Sequence, residues 1–364
     1  MSARVPGLDL LRAMAISLVL FQHQGLISGQ EINTGVFGVD LFFVLSGFLI
    51  GGILYETGEN LANPRIVAGF WLRRWLRTLP NYYLFLGINI LVWLPFYRPH
   101  VVRHVVPPYL VFAQSFTHRP AWFFIESWSL CVEEWFYVFF PLALFLGLVI
   151  GVRFVRAYWA TVIAMMLTSI VMRSTMQPPE DWGLDVNMVV VHKFDSLGAG
   201  ALAAAAMRAW PGIWSRLRVL GLFAGLVLVC ECYVYQARHN MSGIFFARSL
   251  YPTLLSLGWA LLLPWASTCS RIRGAWLDAG VAAVARWSYS IYLVNFMASA
   301  LLVIYLRPKL SLGAAGVVEA EIVYFAGVFA VSAALYRWFE GPIIRLRSRV
   351  QLCREAAAAQ HQGS

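Results

Sequence analysis

The chain has 364 residues, of which 60% are hydrophobic and only 13% charged. Soluble domains carry about a quarter charged residues, so this composition excludes an ordinary soluble protein and assigns nearly all of the chain to a membrane. The net charge of +10 does not argue for nucleic acid, because the basic residues are dispersed between apolar runs, the pattern of a multi-pass protein obeying the positive-inside rule.

The first apolar run, residues 8–27 (LDLLRAMAISLVLFQHQGLI), is long enough to cross a bilayer yet carries Asp9, Arg12 and His23. Its short lead, its arginine and the lack of a small-x-small cleavage pattern argue against a signal peptide. At about 1.5 Å rise per residue, Arg12 and His23 stand roughly 16 Å apart along a helix, and steps of about 100° bring both to nearly the same face. An arginine in a spanning helix costs on the order of 2.5–3.5 kcal/mol on translocon scales. One reading is therefore a polar site inside a helix bundle. The other sets Asp9 and Arg12 at the interface, with His23 a satisfied histidine of the bundle.

Residues 35–54 form the second expected span, with Asp40 set among phenylalanines. A short basic, tryptophan-rich piece at 67–77 precedes a third span at 79–97. Residues 98–128 read as a loop whose apolar piece, 109–116, is too short to span and suits a re-entrant or interfacial position. Further spans are expected at 132–151, 155–173, 187–207, 217–236, 249–268, 287–306 and 318–338. The fold class is thus all-α: a polytopic membrane helix bundle of about ten transmembrane helices in one domain, residues 1–345. A basic to polar tail, 346–364, is expected to be disordered. With the N-terminus inside, seventeen loop arginines fall on the cytoplasmic side and eight basic residues, Arg173 among them, on the other. That bias places both termini in the cytoplasm.

Three stretches could carry chemistry. In the first helix, His23 could take a proton near neutral pH or accept an acyl group covalently. In FWLRRWLRTLPNYY (70–83), Arg73, Arg74 and Arg77 build a cationic helix face suited to phosphates, or else a topogenic basic loop. In SWSLCVEEWFYVFFP (127–141), Glu133 and Glu134 point about 100° apart, so at most one faces a given site. A glutamate there could also simply favour the helix start, with Ser127 or Ser129 as N-cap. Asp195, in HKFDSLGAGALAAAA, could pair with Lys193 or His192 or face a cavity. The small residues after it suit close helix packing. The five cysteines are scattered and define no disulfide framework or zinc site, and His100 and His104 lack a third ligand, so no metal is expected.

Taken together, these segments resemble the acyltransferase-3 family of integral-membrane acyltransferases. The matching pieces run in order through LDLLRAMAISLVLFQH, GVDLFFVLSGFLI, FWLRRWLRTLPNYY, SWSLCVEEWFYVFFP, FDSLGAGALAA, WSYSIYLVNF and YRWFEGPI, and cover about residues 7 to 345. The resemblance implies a multi-pass enzyme of the cell membrane. It would take an acyl group, often acetyl, from cytoplasmic acyl-coenzyme A to a hydroxyl of a carbohydrate or other acceptor. It implies that Arg12 and His23 are the arginine–histidine motif, with His23 catalytic, that Arg74 and Arg77 contact coenzyme A, and that Ser129, Leu130 and Glu133 form the serine–leucine–glutamate motif. Asp40, Glu134, Asp195 and Tyr289 fall in the remaining matched pieces. Asn295 departs from the pattern, standing where many members have histidine, and Trp135 replaces a usual glutamine. On this reading Glu133 enters from the outer side to orient the His23 imidazole or guide the acceptor. The competing class is a transporter or flippase whose intramembrane charges form a substrate path.

Overall fold

The computed structural model describes residues 4–29, 33–93, 99–121, 123–306 and 313–345, and among them there is no strand. The α-helices are, in order, α1 (Pro6–Ser28), α2 (Gly35–Thr57), α3 (Pro64–Trp93), α4 (Pro99–Leu110), α5 (Ser127–Val149), α6 (Phe154–Thr175) and α7 (Phe194–Ala209). They continue as α8 (Pro211–Arg238), α9 (Phe245–Ser249), α10 (Tyr251–Ala260), α11 (Leu263–Thr268), α12 (Ala275–Leu301) and α13 (Ala314–Leu335). The tail expected at 346–364 lies outside the described residues.

Among the described residues six helices are long and apolar enough to cross a membrane: Gly35–Ala62, Ser127–Val149, Phe154–Thr175, Pro211–Arg238, Ala275–Tyr305 and Ala315–Arg345. The remaining expected spans fall on helices that are charged, short or broken. The basic piece and the third span are one helix, α3, running straight through Pro80. The span expected at 187–207 is shorter: a π-turn at Gly183–Asn187 and a 3-10 turn at Val190–His192 precede α7. The span expected at 249–268 is divided into α10 and α11, each with a proline in its first turn, where the missing N–H is tolerated. Within the loop expected at 98–128 stands α4, and Tyr109 near its end is buried.

The first helix is continuous from Arg12 to His23. Pro6 opens it, and Gly29 closes it with φ of 75°, its N–H bonded to the Gly25 carbonyl at 2.8 Å. It packs on α2 and α12. On its other side α2 meets α7 at close range: a Cβ on Gly47 would collide with the Leu197 carbonyl, and one on Gly200 with the Val44 carbonyl. These glycines let the two backbones touch, the usual route to tight packing in lipid.

Two fully buried ion pairs lock the start of α7. Asp195 receives both ends of the Arg173 guanidinium, at 2.7 and 3.0 Å, and the Thr253 hydroxyl at 2.5 Å. Asp40 receives Lys193 at 2.7 Å, with Ser196 and Ser256 each donating at 2.7 Å. Asp195 therefore pairs with Arg173, not with Lys193 or His192 as considered from the sequence. Arg173 likewise lies inside the bundle and is no loop charge. Both pairs satisfy their remaining lone pairs with hydroxyls, the condition for tolerating charge in low dielectric.

Candidate active site

Three cavities line up along the bundle. The mouth, of about 290 Å³, is bordered by Arg4, Asp9, Arg12, Arg77, Arg286 and Glu340. Arg12 and Arg77 also border the next cavity, of about 120 Å³, which is completed by Arg74, Ser46, Ser129, Glu133 and Tyr289. Beyond it is a chamber of about 590 Å³ that holds His23, Glu126, Trp128, Trp182 and Asn187. Val39 and Tyr292 border both of the last two spaces and form their shared wall.

The same helices serve both spaces at different heights. On α1, Arg12 faces the smaller cavity and His23 the chamber, the separation that the sequence spacing anticipates. Along α5 and its N-cap the order is reversed in sequence: Glu133 lies at the Arg12 level, and Glu126, seven residues earlier, at the His23 level. On α12, Tyr289, Tyr292 and Phe296 pass from the cavity through the wall to the chamber. Positions three, four and seven apart share a helix face, so these contributions follow from periodicity.

The Arg12 cavity is cationic and partly neutralised. Arg74 lies over the Tyr137 ring, its Cζ 4.3 Å from the centroid, and its Nε has no hydrogen-bond partner. Arg12 approaches Asp9 at 3.8 Å, while Arg77 is exposed where the cavity and the mouth meet. Glu133 accepts a hydrogen bond from Ser46 at 2.6 Å. The Tyr289 hydroxyl donates to the Thr78 carbonyl at 2.8 Å, holding α12 against α3.

At the chamber end, the His23 ring meets Phe296 edge-on at 5.4 Å. Its Nδ1 is buried without a well-formed hydrogen bond, and the Asn295 amide and the Val19 carbonyl lie beside the ring. The Asn295 Nδ2 donates to the carbonyls of Ile291 and Tyr292, at 3.1 and 2.6 Å, which leaves Oδ1 unpartnered. Glu126, one residue before α5, is 5% exposed, and neither carboxyl oxygen has a partner. Burial pushes that carboxyl up to about 8. In the wall, Ser129 donates to the Tyr292 hydroxyl at 2.6 Å, and Tyr292 donates to the Glu126 carbonyl at 2.9 Å.

The structure thus gathers Arg12, Arg74, Arg77, Ser129, Glu133 and Tyr289 around one cavity and puts His23 next door. Glu133, expected to orient the His23 imidazole or guide the acceptor, lines the arginine cavity and not the chamber of His23, about two turns along α5 from Glu126. Arg73 does not border the cavity and runs back toward Gly69. Glu134 turns away to accept from Thr78 at 2.7 Å. Asp40 and Asp195 belong to the buried ion pairs. Neither Ser127 nor Ser129 caps α5, because Ser127 is already its first residue and donates to the Phe124 carbonyl. Trp135 donates to the Phe112 carbonyl at 2.8 Å, and Phe112 has a φ of 56°, so this departure from the family pattern clamps the strained backbone after α4. Glu126 and Asn187 were missed by sequence reasoning. Glu126 lay in a presumed loop, although its seven-residue spacing from Glu133 was a usable signal. Among the described residues no group of three or more His, Cys, Asp or Glu could hold a metal.

The chain belongs to the acyltransferase-3 family: the family model, described as an acyltransferase domain, matches residues 5–337. It is similar to YrhL of Bacillus subtilis strain 168, with 34% identity over 193 residues, covering 48% of this chain and 29% of that protein. It is also similar to OatA of Listeria monocytogenes serovar 1/2a, named a peptidoglycan O-acetyltransferase, with 29% identity over 188 residues, covering 44% of this chain and 29% of the relative. The matched part is therefore under a third of each relative's length. No solved structure matches the chain.

Proposed function

We propose that this chain moves an acyl group, acetyl first among the candidates, from cytoplasmic acyl-coenzyme A to a hydroxyl of a carbohydrate acceptor across the cell membrane. One observation carries the reading. Three arginines converge on a cavity that shares a wall with the chamber of the histidine, and one helix supplies both Arg12 and His23. Guanidinium groups suit the phosphates of coenzyme A, and the mouth that Arg12 and Arg77 share with Arg286 is where that nucleotide would sit. The pantetheine arm then passes Glu133 and Tyr292 to bring its thioester to His23. The name of the Listeria relative favours a sugar acceptor.

In direct transfer, the imidazole removes the acceptor hydroxyl's proton as the oxygen attacks the thioester carbonyl. The carbon–sulfur bond breaks, and the coenzyme A thiolate takes up the proton. In the covalent route, the imidazole nitrogen first bonds the acyl carbon and releases the thiol, and the acceptor oxygen then displaces the imidazole. The neighbouring Asn295 amide suits either route, since an acceptor on one ring nitrogen's proton fixes which nitrogen is free to react.

The reading is tested with purified full-length protein, acetyl-coenzyme A and a panel of glycosides. Acceptor-dependent thiol release that disappears in His23→Ala supports it. A His23→Ala protein that is normally expressed and transfers at the normal rate overturns the catalytic assignment. Uptake of a glycoside into vesicles without thiol release would mark the transporter class instead.

A further inference from the structure

The His23 chamber holds unspent recognition chemistry. Glu126 and Asn187 are 5% and 2% exposed, and all four of their side-chain N and O atoms lack a partner. Both residues border the chamber. Leaving a buried polar group without a hydrogen bond is costly, so two such groups facing one space are matched to something that enters it. The chamber's size is that of a small-molecule site, about 300–1,000 Å³, and Trp128, Trp182 and Phe296 give it the aromatic walls common in such sites.

Its charge is one-sided. Glu180 and Asp181 border it beside the Glu126 carboxyl, whose protonated form burial favours, but no described lysine or arginine does. The bases it holds are the imidazoles of His23 and His239, the latter with Nδ1 engaged by the Tyr235 carbonyl. Arg119 meets Glu180 at 3.3 Å from outside the chamber and so offsets one carboxylate without offering a cation to a ligand. The cavity on the other side of Tyr292 has the opposite character, with three arginines. The two spaces therefore differ in the charge they present.

We propose that the Glu126 carboxyl and the Asn187 amide are the recognition groups of this chamber and that they select an uncharged sugar unit over one bearing a carboxylate or phosphate. The inference rests on the reading of the His23 chamber as the acceptor site. An amide and a carboxyl together can donate to and accept from adjacent sugar hydroxyls. The raised protonation range of Glu126 adds a donor at neutral pH. An anionic sugar would find no cation here, and an unpaired charge in a buried site is strongly disfavoured.

Binding can be read without turnover, by saturation-transfer NMR of the full-length protein in nanodiscs with methyl glucoside, methyl N-acetylglucosaminide and methyl glucuronide. The wild type is expected to bind the two neutral glycosides at least ten-fold more tightly than the glucuronide. Asn187→Ala and Glu126→Ala are expected to weaken the neutral glycosides about ten-fold, and Glu126→Gln to retain most of their affinity. Acetyl-coenzyme A affinity is the control for folding and should stay unchanged in all three variants. Equal binding of the glucuronide, no binding of any glycoside by the wild type, or full neutral affinity in Asn187→Ala and Glu126→Ala overturns the inference. Failure of acetyl-coenzyme A to bind the wild type counts against the donor reading, while the glycoside ranking remains interpretable.

Discussion

Ser129 donates to the hydroxyl of Tyr292 at 2.6 Å, and this bond stands in the wall between the arginine cavity and the histidine chamber. Tyr292 then donates to the Glu126 carbonyl at 2.9 Å, tying α12 to the start of α5. On the proposed reading, a donor in one space meets an acceptor in the other across the wall that this side chain forms with Val39. Tyr292→Ala is expected to open the wall, raising acceptor-independent hydrolysis of acetyl-coenzyme A several-fold while lowering transfer. Tyr292→Phe keeps the ring and should show less hydrolysis than Tyr292→Ala. A Tyr292→Ala protein with wild-type hydrolysis and transfer would remove the wall from the mechanism.

Arg74 and Arg77 border the cavity, and Arg77 faces the mouth as well. Each is expected to raise the KM for acetyl-coenzyme A about ten-fold or more when changed to alanine, since a hydrogen bond to a charged group contributes about 1.5–3 kcal/mol. Lysine substitutions should recover only part, because a point charge does not reproduce a bidentate fork. Arg73→Ala, away from the cavity, should leave that KM within two-fold. Steady-state thiol release against donor concentration checks all three.

Asn295 lies beside His23 with its Oδ1 unpartnered. If it fixes the imidazole, Asn295→Ala lowers kcat about ten-fold with both KM values nearly unchanged, because the amide does not border the arginine cavity. Asn295→His, which introduces the residue common in the family, should recover much of that loss. A proportional rise in KM instead would assign Asn295 to binding.

The Arg173–Asp195 pair is fully buried, and each partner makes further bonds. Removing one partner of a buried pair costs about 3–5 kcal/mol. Arg173→Ala and Asp195→Asn are therefore expected to lower the unfolding midpoint in detergent sharply. Replacing both with apolar residues should cost less than the sum of the single changes, since neither charge is then stranded.

Much of this was legible in the residues. The spacing of Arg12 and His23 already placed both on one face of a continuous helix, because a helix has a fixed rise and twist. Arg74 and Arg77 were likewise recognisable from their local spacing. What failed was long-range. Nothing local says that Asp195 meets Arg173 or that Lys193 meets Asp40, since those pairs join α7 to α6 and α2 across the fold. The cavity Glu133 lines depends on where α5 starts, and its first residue is Ser127 rather than 132. That same shift brings Glu126 to the level of His23. Span boundaries failed where proline or charge competes with apolar length, in α3 and in the broken α10–α11 segment.

The ion pairs at the start of α7 also bear on how the chain enters the bilayer. Lys193 and Asp195 arrive with α7, but their partners come from α2 and α6, and the hydroxyls of Thr253 and Ser256 come only with α10. On translocon scales each stranded charge costs on the order of 2.5–3.5 kcal/mol at mid-membrane. Helix-by-helix release into lipid is therefore unfavourable here, and α2 and α6 are expected to be held beside α7 until α10 has been made. Reporter fusions truncated between α7 and α10 would interrogate a half-built insertion unit, so the sidedness of this protein is best mapped by labelling single cysteines in the full chain.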